Sequence, residues 1–164
     1  MRYIFFFIFF SGLISFSCNE SASTGSGKPS SKQANTSAVD GEKLPSITME
    51  KMKTIWEKCD YIDFVFYKTN FSMSMDQKGS IQGAVRHIAQ ETPTLNPACK
   101  SIGRIFFEIE GETFAEAEIF FQEGCKYFVF YENKKKAYAN YMSEEGITHY
   151  TNLFKQFPQN GSQQ

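Results

Sequence analysis

Six glutamates lie between Arg104 and Lys126, and no basic side chain stands among them. Paired carboxylates can act as a general acid and base, or they can bind a divalent cation. Because side chains alternate between the two faces of a β-strand, the spacing predicts four of these acids on one sheet face, together with three phenylalanines. We call these seven residues the acidic–aromatic set: Phe106, Glu108, Glu110, Phe114, Glu116, Glu118 and Phe120.

The composition of the acidic–aromatic set favours binding over catalysis. Exposed aromatic rings supply contact area, and carboxylates orient a basic partner, a cation-bearing ligand or divalent ions. A glycosidase-like carboxylate pair is disfavoured, because the acids come from adjacent strands with no sign of a cleft. The alternative is an ordinary solvated face whose charge is balanced by lysines across the sheet.

His87 and Glu91 are the second candidate for chemistry. Four residues apart on a predicted helix, they could share one metal ion. Two ligands do not complete a site, however, and the apolar stripe of that helix leaves both on its solvent side. Nothing in the sequence brings His149, the only other histidine, near His87. With no zinc-protease, nucleophile-elbow or P-loop motif either, we predict no catalytic residue, metal or cofactor.

Three amphipathic helices are predicted in the folded part of the chain. Thr48 and Ser143 are typical N-caps for the first and the last helix. The second helix opens near Ser74 or Asp76, carries apolar residues at helical spacing, and ends before Pro93.

The strand pattern sets the fold class. Alternation in Tyr61–Tyr67 indicates an inner strand, and the short Phe71–Met75 is typical of an edge strand. Short turns join four further strands into a meander, which disfavours a doubly wound parallel fold. These strands are Arg104–Glu110, Thr113–Phe121, Lys126–Glu132 and Lys136–Met142. The order predicts an α+β domain with a mostly antiparallel sheet of about five to six strands, a C-terminal four-strand meander, and helices packed on one face.

The N-terminus has the pattern of an export signal. Met1-Arg2 precedes an apolar run that is shorter than the roughly 20 residues needed to span a bilayer. The run ends in Ser17-Cys18, and this segment resembles the lipobox of bacterial lipoproteins, although Ser15 and Phe16 stand where that family usually has Leu and a small residue. The resemblance implies a diacylated Cys18 on a membrane-anchored envelope protein. Ordinary signal-peptidase cleavage and a retained transmembrane helix are the alternatives.

Composition divides the chain into four parts. The residues that follow Cys18 are rich in Ser, Gly and Thr and nearly devoid of apolar side chains, which predicts a disordered tether. Only Glu20 follows the cysteine as an acid, so the periplasmic face is the default location and surface exposure the alternative. The predicted parts are a signal peptide 1–17, lipidated cysteine and tether 18–45, one domain 46–158, and a flexible tail 159–164.

Removing Cys18 leaves three cysteines in an oxidising compartment, and therefore at most one intramolecular bridge. Cys99 precedes the first meander strand, and Cys125 lies at the turn that ends the second. Antiparallel pairing brings those two ends to the same edge of the sheet. We predict a bridge between Cys99 and Cys125; pairing of either with Cys59, or no bridge, remains open.

The overall charge bears on the partner. The 164 residues include 17 basic and 18 acidic side chains, so no general positive field attracts nucleic acid. The leading hypothesis is a non-catalytic, lipid-anchored envelope domain that binds another envelope protein or a small ligand through the acidic–aromatic face. An envelope hydrolase or metal-dependent enzyme is the competing class, and a structural or colloidal role is the third.

Overall fold

The computed structural model describes residues 41–69 and 71–157. The predicted signal peptide, Cys18 and residues 19–40 of the predicted tether lie outside the described residues, as does the predicted tail 159–164. Within the described ranges, no helix is both long enough and apolar enough to cross a membrane.

Two of the three helices begin at the predicted N-caps. The Thr48 hydroxyl accepts a hydrogen bond from the Lys51 N–H at 3.3 Å, and the Ser143 hydroxyl accepts one from the Gly146 N–H at 3.1 Å. Each bond satisfies a backbone donor that has no partner within its helix. The helices are α1 Met49–Lys58, α2 Lys78–Arg86 and α3 Glu144–Gln156.

The strands form one large antiparallel sheet and one small ribbon, which confirms the predicted α+β class. In order along the chain they are β1 Glu42–Lys43, β2 Tyr61–Phe66, β3 Ser72–Met75, β4 Thr94–Leu95, β5 Ser101–Ile109, β6 Glu112–Gln122, β7 Cys125–Glu132 and β8 Lys135–Tyr141. The large sheet has the order β3-β2-β5-β6-β7-β8, so β5 to β8 are the predicted meander. β1 and β4 form the separate ribbon.

α2 departs from the prediction at both ends. Gln77 occupies its N-cap position without a side-chain hydrogen bond, so neither Ser74 nor Asp76 caps it. The helix stops at Arg86 because the following chain pairs with β8. The Ala89 N–H donates to the Tyr141 carbonyl, and the Tyr141 N–H donates to the Glu91 carbonyl, both at 2.9 Å. This backbone pairing outweighs the helical spacing of the side chains.

All three helices cover one face of the sheet, here called the inner face. Ile62 and Phe64 of β2 and Phe107 of β5 are almost fully buried against residues of α1, α2 and α3. Burying such side chains contributes about 1.5–3 kcal/mol each. Tyr150 brings α3 into the same core and is 1% exposed.

A second, smaller core lies on the opposite, outer face. Leu95 of the ribbon packs there with Phe120, Tyr127 and Val129 of β6 and β7. The predicted disulfide between Cys99 and Cys125 is confirmed, with 6.1 Å between the Cα atoms, and it fixes the loop after β4 to the start of β7. Cys59 is free and buried.

The ribbon also moves the start of the folded domain. Residues 41–45 were predicted as the end of the tether, yet Glu42 and Lys43 pair with Leu95 and Thr94. A β-carbon at Gly41 would collide with the Leu95 carbonyl, so the ribbon needs glycine at this position. The Ala139 N–H of β8 donates to the Pro45 carbonyl, which closes that sheet edge. The predicted boundary at residue 46 is therefore too late.

Candidate functional site on the outer sheet face

The outer face of β2, β5 and the first half of β6 is accessible beside the ribbon. Tyr61 and Val65 of β2 are 37% and 41% exposed, and Tyr67, just beyond that strand, is 50% exposed. We call the outward-facing residues of these three strands the open face: Tyr61, Asp63, Val65, Arg104, Phe106, Glu108, Glu116 and Glu118.

Arg104 organises the open face. Its Nη1 atom lies 3.5 Å from Glu116 Oε2, and its Nη2 atom lies 3.3 Å from Glu118 Oε1. The guanidinium carbon is 5.2 Å from the centroid of the Tyr131 ring, and the Tyr131 hydroxyl donates to Glu118 Oε2 at 2.8 Å. We call these four residues the Arg104 cluster. An arginine on the neighbouring strand therefore balances the two glutamates, whereas the alternative of an ordinary solvated face assigned that role to lysines.

The surroundings of Arg104 and Tyr131 raise the pKa of both side chains, so both stay protonated. Burial, together with the hydrogen bond to Glu118, raises the pKa of Tyr131 to about 12, so its phenol remains a donor. Partial burial opposes the charge of Arg104, but the hydrogen bond to Glu118 and the nearby Tyr67 and Glu116 raise its pKa. Two carboxylates and a ring thus hold the guanidinium in a fixed position.

The open face carries a net negative charge. Asp63, Glu108, Glu116 and Glu118 supply four carboxylates, whereas Arg104 is the one cation among the eight residues of the face. A surface with this balance attracts cationic groups and repels anionic ones.

The structure keeps Phe106, Glu108, Glu116 and Glu118 accessible on the predicted face, buries Phe120 on that face, and turns Phe114 and Glu110 away from it. Phe120 is only 8% exposed, because the ribbon covers it and it stacks on Tyr127 with ring centroids 4.8 Å apart.

Phe114 leaves the face at a β-bulge. Phe107 pairs with Ala115 and Glu108 pairs with Thr113, so Phe114 is an extra residue without a partner on β5. Its ring lies 5.5 Å from the ammonium of Lys51, on α1.

Glu110 leaves the face at the hairpin turn. It has a φ of 54°, next to Gly111 at 81°, which is the backbone that a tight hairpin requires. Its N–H donates to Asp60 Oδ2 at 2.9 Å. The strand alternation that predicted its orientation therefore ends one residue earlier, at Ile109.

The histidines are arranged differently from the prediction. His87 caps the C-terminus of α2 and is 6% exposed, so the prediction that it shares a solvent-facing helix surface with Glu91 is wrong. The His149 ring instead lies 4.7 Å from the His87 ring, centroid to centroid. We call these two residues the histidine pair. Within the described ranges, no three side chains of the His, Cys, Asp or Glu types are grouped to hold a metal ion.

A cavity of about 290 Å³ lies beneath the ribbon. Leu95, Phe120 and Tyr127 line it, together with Cys99 of the disulfide. Its volume is at the lower end of the roughly 300–1,000 Å³ typical of small-molecule sites. It is a separate place from the open face where a small ligand could fit.

Two residues of the Arg104 cluster were missed by sequence reasoning. Arg104 has the same strand parity as Phe106 and Glu108, which was a usable signal that it shares their face. Tyr131 gave no such signal, because its place opposite Glu116 depends on the register between β6 and β7.

No family model, no curated protein and no solved structure matches the chain.

Proposed function

We propose that this protein is a lipid-anchored binding module of the bacterial cell envelope, and that its open face recognises a basic segment of another envelope protein. The lipobox-like Ser17-Cys18 supports the anchor. Two or more acyl chains would hold the protein stably on a membrane, because each buried CH₂ contributes about 0.8 kcal/mol and a single chain binds only marginally.

The observation that carries the binding role is the Arg104 cluster beside exposed side chains of β2. Tyrosine and arginine are enriched among residues that dominate binding energy. Here the guanidinium of Arg104 already holds the carboxylates of Glu116 and Glu118 in place, so little side-chain entropy is lost when a cationic partner contacts these carboxylates. The surplus of carboxylates favours a partner with Lys or Arg side chains.

The test is site-specific photo-crosslinking in cells. A photoreactive residue at Val65, on the open face, should give a discrete crosslinked product, whereas the same residue at Asn152, exposed on α3, should not. The combined Asp63→Lys and Glu108→Lys substitutions should abolish the Val65 product, because they reverse two charges of the face. Cys18→Ala should also reduce it if the anchor brings the domain to its partner.

Two results would contradict the proposal. One is an identical set of products from Val65 and Asn152, since that would indicate collision without recognition. The other is a Val65 product that survives both charge reversals, since that would remove the electrostatic basis of the proposed interaction.

A further inference from the structure

β3 is the open edge of the large sheet within residues 41–69 and 71–157. At the opposite edge, the carbonyls of Pro45 and Glu91 accept hydrogen bonds from the backbone of β8. Among the described residues, none outside the sheet makes a backbone hydrogen bond to β3. An extended chain can add to such an edge through main-chain hydrogen bonds.

The backbone groups of β3 that have no partner among the described residues belong to its two serines. The Tyr67 N–H donates to the Ile102 carbonyl at 3.0 Å, which continues the register of β2 with β5. Successive residues of a strand direct their N–H and C=O groups to opposite sides. Phe64 of β2 therefore bonds toward β3, where its partner is Met73. It follows that the N–H and C=O groups of Ser72 and Ser74 point away from the sheet.

The side chains at this edge would accommodate an added strand. Ser72 and Ser74 are small, exposed and opposite Val65 and Asp63 of the open face. Strands lie about 4.8 Å apart, so a long side chain of an added strand can reach over a serine to Asp63. On the inner face, Met73 and Met75 are half-buried and offer apolar contact.

We propose that β3 binds an extended basic segment of the partner by strand addition. This rests on the proposed function and specifies how the same face is used. Apolar side chains of the segment lie beside Met73 and Met75, and the alternate Lys or Arg side chains lie over the open face. Charge complementarity selects this occupant, because the open face holds four carboxylates and one guanidinium.

The experiment measures binding of a short alternating Lys-Val peptide to the full-length protein in nonionic detergent, by isothermal titration calorimetry. Ser74→Pro removes an outward N–H and leaves the bonds of β3 to β2 in place. It should weaken binding roughly five- to tenfold. Ser74→Val makes a similar change of side chain but keeps the N–H, and it should bind within about twofold of the wild type. Circular dichroism of each variant checks the fold.

The outcomes separate the two proposals. If Asp63→Lys with Glu108→Lys weakens binding and Ser74→Pro does not, strand addition is overturned and recognition by the open face stands. If neither the charge reversals nor Ser74→Pro weakens peptide binding, recognition by the open face and strand addition both fail for this peptide. If the wild type does not bind the peptide, strand addition by a basic segment is overturned.

A peptide-side variant keeps the test valid if Ser74→Pro fails to fold. N-methylation of alternate residues removes the N–H groups along one edge of the peptide and leaves its charge unchanged. Strand addition predicts that methylating one of the two edges abolishes binding. Equal binding of both methylated forms and the parent peptide would overturn it.

Discussion

Arg104 connects β5 to two glutamates of β6 and to a ring of β7, so replacing it should lower the stability of the domain. Its side chain is 31% exposed, and those of Glu116 and Glu118 are 25% and 18% exposed. Arg104→Met keeps the apolar stem but removes the charged partner of both half-buried carboxylates, and leaves Glu118 with only the hydrogen bond from the Tyr131 hydroxyl. We expect the free energy of unfolding in urea to fall by about 1–2 kcal/mol.

A matched control is available in Lys53 of α1. Its ammonium lies 3.9 Å from Glu57, and both side chains are more than half exposed. Lys53→Met should therefore change stability by less than about 0.5 kcal/mol. Equal effects of the two substitutions would show that the Arg104 cluster is an ordinary surface ion pair, and would weaken the case for a fixed recognition residue.

At the scale of elements, local pattern predicted most of the fold and long-range contacts decided the exceptions. N-caps, alternation and short turns predicted α1, α3 and the β5–β8 meander, because each of these signals acts over a few residues. The bulge at Phe114 and the early end of α2 depend on pairing with distant strands, which no local pattern records. The same limit hid the histidine pair.

The histidine pair joins the end of α2 to α3, and it should make the protein sensitive to acid. Burial, and secondarily the nearby His149 and Arg86, lowers the pKa of His87 to about 4, while Glu145 opposes this. Burial also lowers the pKa of His149. In the unfolded chain both imidazoles titrate near 6.5. Between about pH 6.5 and pH 4 the unfolded state thus binds more protons, so stability falls as the pH falls.

The measurement is urea unfolding at several pH values. Between about pH 7 and pH 5, His87 should account for a loss of about 2 kcal/mol. His87→Phe replaces one ring by another and should flatten this dependence, and adding His149→Phe should flatten it further. The hydrogen bonds of Lys51 and Tyr138 lower the pKa of Glu132, so its contribution is lost only at more acidic pH. An unchanged slope in His87→Phe would refute this account.

For the whole molecule, the outer face is divided between a covered half and the open face, and the sequence did not reveal the division. The alternating sequence pattern predicted the same exposure for all outward-facing residues of β5 and β6. The ribbon covers Phe120 but leaves Phe106 half-buried, because Leu95 is held over β6 and β7 through the disulfide. The cysteine pairing was predictable, since strand order alone brings those ends together. The packing of Leu95 in the second core, which follows from that bridge, was not predictable.

The disulfide should therefore stabilise both the domain and this division. It links residues 26 apart. Closing a loop of this length lowers the entropy of the unfolded chain, which stabilises the folded state by about 3 kcal/mol. Cys99→Ala with Cys125→Ala should lose about that much stability toward urea. Leu95 is then less firmly held over the second core. Loss of the bridge should therefore accelerate hydrogen exchange at the backbone amide of Tyr127 more than at that of Phe64 in the inner core.

Cys59 provides the control for this prediction. It is a buried free thiol, so Cys59→Ala removes packing without changing chain connectivity and should cost about 1 kcal/mol. A reducing agent should destabilise the wild type and leave Cys99→Ala with Cys125→Ala unaffected. If exchange at Tyr127 and Phe64 accelerated equally, the bridge would stabilise only the domain as a whole. The boundary between the covered half and the open face would then be maintained by the ribbon's own packing.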